Sequence, residues 1–448
     1  MRVLLTAHQF FPAYKAGTEI LTLSVAKELS RHGHEVRVFT GHLGDESLEE
    51  SDRYDEYEYE GIHVYRFHHA YTPMAGQTSL IEVGYKNELA LRFFREIVEE
   101  FKPDLVHYFH LNRLGIGLIN YLADQAVPQY FTPTDFWMIC PTAQLMLGEG
   151  EFCEGPDAEA GNCIKHFADN SIGGFAGGLV NHIPTWIVKQ LARITKNNPI
   201  IQYPMSQEVR ALSTRVSQTV LAMNKLDGII APNAFMKQLF IRYGVNLDLI
   251  SESPFGIDLN FDDKTARVIN YQSPLNVGYI GTLAPHKGCH VVIEAFNKLP
   301  AGLAILYIYG DSTEFPDYYH KLISLADNNK DIHFCGTFPN AQINSVMSAL
   351  DVLVVPSIWY ENTPLVLYSA QAAKCPVIAS DLPGISIVIK NGINGFLFEP
   401  GNINALSEHL KSISSNRELI KTLGDSCKDP LSIKEYVNYL LDRWGQSK

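Results

Sequence analysis

Long apolar runs are missing from this chain. No stretch of about 20 apolar residues occurs, so the sequence offers no candidate membrane-spanning helix. The first residues, MRVLLTAHQFFP, hold an apolar run of only a few residues, and Pro12 follows with no small-residue cleavage site. They are not expected to act as a secretory signal. Positive charge is scarce: 36 Lys and Arg stand against 49 Asp and Glu, for a formal net charge of −13. That balance argues against broad nucleic-acid binding. It leaves room for a small anionic ligand, which a local loop can hold on an acidic protein. Short repeats and low-complexity tracts are also missing. Cysteine is sparse and odd in number, at seven, mostly in strand or helix contexts, which predicts a reducing, cytoplasmic compartment.

What is present is a globular composition, 46% hydrophobic and 19% charged over 448 residues. That length exceeds one ordinary core and predicts two domains of roughly 200 residues. Short Val-, Ile- and Leu-rich runs alternate with helical patterns. Predicted strands are Val3–Ala7, Val36–Thr40, His63–Phe67, Leu105–Phe109, Gln129–Thr132, Gly228–Ala231, Asn276–Ile280, Leu303–Tyr309, Ile332–Cys335, Asp351–Pro356 and Val377–Ala379. Their lack of polar alternation suits strands covered on both faces, and the intervening helices imply parallel sheets of an α/β fold. Leu21, Val25, Ala26 and Leu29 share one face of the helix after the first strand, and Gly33 ends that pattern.

A polar stretch without periodicity, Lys264–Asn276, precedes a second start of strand, tight loop and helix. The expected organisation is therefore residues 1–270, residues 271–428 and a last helix within 429–448. Ser432 and Glu435 form a capping box at the start of that helix. The first domain carries an insertion, about residues 141–198. Within it Ile187, Leu191 and Ile194 share one helical face, Lys189, Arg193 and Lys196 lie opposite, and Trp186 stands at the start. This segment reads either as a helix lying in a membrane interface or as an ordinary docked helix.

Three segments carry candidate chemistry. In GYIGTLAPHKG, a strand ends at Ile280, Gly281 and Thr282 make the turn, and Lys287 and Gly288 precede a helix. Small residues let backbone amides approach an anion, the helix amino terminus favours negative charge, and Lys287 adds a full positive charge. The spacing is neither a P-loop nor G-x-G-x-x-G. Gly17 and Thr18 sit likewise at the mouth of the first helix, where Thr18 could also be a simple N-cap. In PSIWYENTPLVLYS, Glu361 follows a strand end and Pro364 opens a helix. Ligands of open α/β sheets bind at the carboxyl ends of strands. A carboxylate there can accept bonds from sugar hydroxyls, with the amides of Asn362 and Thr363 beside it; the plain alternative is a carboxylate stabilising the helix start. His107 and His110, at another strand end, read as core or crevice residues, His110 being the candidate substrate contact. Cys140, Cys153, Cys163 and His166 could close a tetrahedral zinc site, or be packed free thiols.

Together, the opening up to Thr18, GYIGTLAPHKG, SPFGIDLNFD (with Gly256 and Asp258), and PSIWYENTPLVLYSAQAAKCPVIAS continuing to NGINGFLFEPGN resemble the retaining glycosyltransferases of family 4. The resemblance is specific over about residues 228–410 and looser before, where PDLVHYFHL and TPTDFWMICP fit a subgroup. It implies the GT-B fold, two facing Rossmann-like domains with a cleft between them. It implies transfer of a sugar, with retention, from a UDP- or GDP-linked donor to a glycan or lipid-linked acceptor. Gly17 and its neighbours would then cover the diphosphate, Lys287 would neutralise it and Gly281 would give close backbone approach. Glu361 and the amides of Asn362 and Thr363 would hold the donor sugar. Leu365 and Val366 would lie beside the nucleoside, and His110 and Asp135 are candidate acceptor or sugar contacts.

Three positions depart from the family pattern. Thr282 replaces a usual arginine, Thr134 a usual histidine, and Ser369 the second glutamate that grips the ribose. The leaving phosphate itself is expected to take the acceptor proton, so the protein mostly positions reactants and stabilises charge. No Asp-x-Asp triplet occurs, so no metal or other catalytic cofactor is expected. A catalytically silent relative that binds glycan or a partner transferase, and a nucleotide-sugar epimerase, are the alternative readings. An epimerase would need added acid and base side chains, of which the sequence shows no clear set.

Overall fold

Fourteen strands run through the described residues of the computed structural model, which are 1–147, 151–172, 182–258 and 273–445. They fall into two compact units, Met1–Pro254 with Lys434–Lys448, and Phe255–Ile433. The first unit holds β1 (Arg2–Ala7), β2 (Glu35–Leu43), β3 (Tyr54–Tyr59), β4 (Ile62–His69), β5 (Leu105–Tyr108), β6 (Gln129–Phe131), β7 (Gly228–Ala231) and β8 (Ile250–Glu252). The second holds β9 (Leu275–Ile280), β10 (Ala304–Tyr309), β11 (Ile332–Gly336), β12 (Val352–Val355), β13 (Val377–Ser380) and β14 (Gly395–Phe398).

The sheet of the first unit runs β3-β4-β2-β1-β5-β6-β7-β8, with every pair parallel except β3 against β4. The sheet of the second runs β11-β10-β9-β12-β13-β14 and is parallel throughout. Setting the antiparallel edge aside, both sheets follow one order. The first strand is central, the next two extend one way, and the later ones extend the other way. This is the doubly wound arrangement, whose ligand crevice opens where the order reverses. The reversals lie between β1 and β5, and between β9 and β12.

The central strands are apolar because helices cover them. Val3, Leu4, Leu5 and Ala7 of β1 are fully buried, as are Val352 and Leu353 of β12. The first helix, Gly17–Arg31, buries Leu21, Val25, Ala26 and Leu29 as its periodicity predicts. Each such helix leads away from a strand end, so its amino terminus faces the crevice side of its own sheet. Residue 270, where the sequence places the domain boundary, lies outside the described residues; the compact units divide at Pro254. The last helix, Ile433–Gly445, packs on the first unit, with Tyr436 bonding Thr132 at 3.2 Å and Trp444 against His107.

Candidate functional site

In the second unit, β9 delivers Gly281 and Thr282, and β12 delivers Ser357 to Glu361, to the same reversal point. The loop from β9 turns back sharply at Gly288, whose φ is +74°. A β-carbon there would overlap the Pro356 carbonyl oxygen. Both the angle and the space require glycine. That close approach sets Lys287 beside the end of β12, and Ile358 N–H donates to the His286 carbonyl at 3.0 Å.

Lys287 and Glu361 therefore meet. The ammonium lies 2.9 Å from Oε1 and 3.1 Å from Oε2. Ser357 Oγ donates to Oε1 at 2.6 Å and Trp359 Nε1–H donates to the same oxygen at 2.8 Å. The Lys287 ammonium also sits over the Trp359 ring, 4.7 Å from its centroid, and the His286 ring packs against the same ring, 4.4 Å between centroids. Burial pushes the Glu361 carboxyl up, but Lys287, Ser357 and Trp359 overcome it and hold the group below its ordinary range. It is a buried anion with three donors on one oxygen and one on the other. Burial and the neighbouring ammonium push His286 down to about 4, so its imidazole is neutral.

The sequence reading gave Lys287 and Glu361 separate partners; the structure pairs them with each other. Asn362 and Thr363 follow as buried residues, and Gly384 leaves room for the carbonyls of Glu361 and Asn362. Pro364 is the N-cap of the helix Leu365–Ala372, one residue before its first turn. Ser369 Oγ bonds back to the Leu365 carbonyl at 3.4 Å. At Gly281 a β-carbon would meet its protein neighbours only at ordinary contact distance. The Thr282 carbonyl accepts from the Tyr279 hydroxyl at 2.9 Å. Ser357 and Trp359 went unread in the sequence. Their signal was spacing, four and two residues before Glu361 in one short loop.

The first unit gathers a different set at its own reversal point. Gly17 is the first residue of its helix and Ala16 its N-cap, so Thr18 is not the cap; Ala16 offers no side-chain cap bond. His110 Nδ1 accepts from the Asn112 amide at 3.0 Å, which leaves Nε2–H to donate to Asp135 at 2.7 Å. Asp135 accepts from the Trp137 amide through its other oxygen at 2.8 Å. The two residues expected to touch acceptor or sugar thus form a pair. Thr134 Oγ1 bonds the Phe109 carbonyl at 3.2 Å. Three residues of this cluster were not read from the sequence. His8 packs against His110 with ring centroids 4.1 Å apart and the planes tilted by 40°, and Arg113 donates to the His8 carbonyl at 3.3 Å. Glu19, fully buried in the first helical turn, lies 3.9 Å from His8 Nε2. Neither Glu19 oxygen has a well-formed hydrogen bond. Burial pushes its carboxyl up to about 7, with the first-turn backbone, Gln9 and His110 opposing. Burial, His110 and Arg113 push His8 far down, so it is neutral.

The zinc site is corrected. Among the described residues no group of three or more His, Cys, Asp or Glu side chains is arranged to hold a metal ion. Cys140 instead contacts Thr142 at 3.2 Å, and Cys153 contacts the Gly155 backbone. Burial raises the Cys153 and Cys163 thiols, so without a metal they stay protonated. His166 packs on Phe167.

Comparison with known proteins places each unit. The model of Glycosyltransferase Family 4 matches residues 16–139, and that of Glycosyl transferases group 1 matches residues 262–429. The chain belongs to the family 4, group 1 glycosyltransferases. An uncharacterized glycosyltransferase of Methanocaldococcus jannaschii is 26% identical over 224 residues, 47% of this chain and 62% of that protein. An Escherichia coli UDP-Gal:alpha-D-GlcNAc-diphosphoundecaprenol alpha-1,3-galactosyltransferase is 29% identical over 196 residues, 41% of this chain and 49% of that enzyme. The matches thus span less than two thirds of these relatives. HepE of Anabaena, crystallised with UDP, matches over 100% of both chains with a TM-score of 0.62 at 16% identity. This family 4 chain therefore has the GT-B fold, with a Rossmann-like sheet in each unit.

Proposed function

We propose that this chain transfers a sugar from a nucleotide-diphosphate donor, with retention, to a glycan or lipid-linked acceptor. The observation that carries the reading is the buried Glu361 anion, held ionised by Lys287 at the reversal point of the second sheet. Oε1 is already saturated by Lys287, Ser357 and Trp359. Oε2 accepts from Lys287 alone, so Oε2 is the atom free to take a donor-sugar hydroxyl. Lys287 is a quarter exposed and can share its remaining donor with a leaving diphosphate. In the first unit, Gly17 opens a helix amino terminus toward anions, and the His110–Asp135 pair is the candidate contact to acceptor or sugar.

HepE was crystallised with UDP and the E. coli relative uses UDP-Gal, which favours a UDP-linked donor here over a GDP-linked one. The latter's diphosphoundecaprenol acceptor supports the lipid-linked alternative for the acceptor. The sparse, odd cysteine count is the support for a cytoplasmic site of action. No metal is assigned to the transfer.

The test is a thermal-shift panel of nucleoside diphosphates and their sugars, followed by turnover with the donor that shifts most. A shift with UDP species and release of UDP in the presence of acceptor is expected. A shift without turnover on any acceptor would instead favour the silent-relative reading, for which Ser369, turned back onto its own helix, is the supporting observation. No shift with any nucleotide overturns the transfer reading.

A further inference from the structure

The helix Thr185–Asn197 is built inside out. The residues it turns inward, Val188, Ala192 and Thr195, are small to medium; Val188 and Ala192 pack with Cys163, Ile164 and Leu212 in a minor core with helices Gly161–Ile172 and Ser206–Met223, and Thr195 bonds the Tyr203 hydroxyl at 2.8 Å. Its large apolar residues point outward. Trp186 is 67% exposed, Ile187 40%, Leu191 47% and Ile194 48%. Ile183 just before the helix and Ile200 just after it are also exposed. Seven of the eighteen exposed large apolar side chains of the described residues fall within 183–205. Scattered exposed apolar residues need no explanation, but a concentrated patch does.

The charge of the same segment says what covers it. Residues 182–205 carry Lys189, Arg193 and Lys196 and no acidic residue, on a chain with a net charge of −13. Lys189 and Lys196 reach back to Asp157 and Glu159, at 3.3 and 3.7 Å, while Arg193 stands exposed beside the apolar sector. A second copy of this acidic chain would meet its own repulsion. An anionic bilayer surface offers both an apolar layer and matching charge. Trp at such a boundary sits at headgroup level, where an aromatic ring with one polar edge is most stable. No helix among the described residues is long and apolar enough to cross a membrane, so the attachment is in the plane of the surface.

We infer that the exposed face of the Thr185–Asn197 helix docks this protein peripherally on an anionic lipid surface. The inference stands on this helix alone and holds whether or not the transfer reading does. Neither unit's candidate site contributes a residue to it.

The test uses the full chain with vesicles of phosphatidylcholine alone and of phosphatidylcholine with phosphatidylglycerol, in flotation at low and high salt. Binding is expected on the anionic vesicles at low salt, weakened by high salt. Trp186 is the most exposed of four tryptophans, Trp137 and Trp444 being buried, so its emission should move to the blue on binding. W186F should lose that shift and still float. The triple change Ile187→Ser, Leu191→Ser and Ile194→Ser removes only exposed side chains, and should lower vesicle partitioning roughly tenfold or more. Its melting temperature should match the parent, which separates lost docking from lost folding. Failure of the parent to float with anionic vesicles at low salt overturns the inference. So does equal flotation of the triple variant, or a parent dimer that the triple variant dissolves.

Discussion

The two units each bury a carboxylate beside the reversal point of their sheet, one after the first strand and one after the strand across the reversal, and the two are shifted in opposite directions. Glu19 follows β1 and Glu361 follows β12, each beside the point where its sheet reverses order. Both are removed from solvent, and burial pushes both upward. Glu361 has Lys287 within 3.1 Å and two neutral donors, and ends below the ordinary range. Glu19 has a neutral imidazole at 3.9 Å and no well-formed bond, and ends at about 7. Burial alone therefore does not decide the charge of a crevice carboxylate; the nearest cation does. At neutral pH the second unit presents a fixed anion clamped to a cation, whereas the first presents a carboxyl half-way through its titration.

The sharpest way to break this contrast is to remove the clamp. Glu361→Ala should abolish transfer, because it removes the carboxylate proposed to hold the donor-sugar hydroxyl and strands Lys287. Lys287→Ala should cost roughly 2–4 kcal/mol in kcat/KM through lost stabilisation of the leaving diphosphate. The double variant should lose less than the sum, since the partners are in contact. Steady-state rates and melting curves of the three variants test this. Full activity of Glu361→Ala would falsify the assignment of this site.

The next effect is on stability, in the first unit. A carboxyl raised in the folded state loses nothing below about pH 4.5, where both states are protonated. Stability then falls as pH rises from about 4.5 to about 7, and stays low above that. The loss amounts to about 3 kcal/mol for that difference. Glu19→Gln should therefore raise the melting temperature at pH 8 and leave it nearly unchanged at pH 4. Glu361 has the opposite sign: its contribution is present above its ordinary value and disappears as pH falls through its lower folded one. Equal shifts for Glu19→Gln at both pH values would show that Glu19 carries no such penalty.

A subtler probe keeps the charges and removes one donor. Trp359→Phe retains an aromatic face for Lys287 but loses the N–H bond to Glu361 Oε1. Hydrogen bonds to charged groups are worth about 1.5–3 kcal/mol. The acid limb of the kcat/KM profile should move upward, because Glu361 protonates more readily. A profile identical to the parent would leave Trp359 as packing only.

Much of this arrangement was legible in the chain. Unbroken apolar runs marked eleven strands, and small residues marked the turn at Gly281 and Thr282 and the helix starts after Gly17 and Gly288. The strands that escaped notice have physical reasons. β3 reads YDEYEY, an antiparallel edge strand whose charges guard an open side and hide its apolar pattern. β8 and β14 have only three and four residues. Lys287 and Glu361 were both singled out, yet their pairing was not, because 74 residues separate them and only the close approach at Gly288 brings them together. His8 and Glu19 were missed for a related reason. A histidine after a strand and a glutamate in a first helical turn look ordinary until burial is known. Cys140, Cys153, Cys163 and His166 show the converse: ligand types in one insertion did not make a metal site.

The smallest expected effect concerns Ser369, where the family pattern has its second glutamate. The helix Leu365–Ala372 carries it one turn in from Pro364, and its hydroxyl bonds the Leu365 carbonyl at 3.4 Å. A serine so engaged is short, uncharged and turned toward its own backbone. On the proposed reading it would reach a ribose hydroxyl through water. Ser369→Ala should therefore cost less than about 1 kcal/mol in kcat/KM, the net worth of a neutral hydrogen bond. Ser369→Glu would place a longer carboxylate on the exposed side of that turn. It should lower the donor KM or leave it unchanged, with kcat unaffected, because ribose binding is the same in ground and transition states. A loss from Ser369→Ala as deep as that from Glu361→Ala would give the serine a direct role in transfer. A fall in kcat for Ser369→Glu with KM unchanged would mean that the nucleotide does not lie along this helix at all.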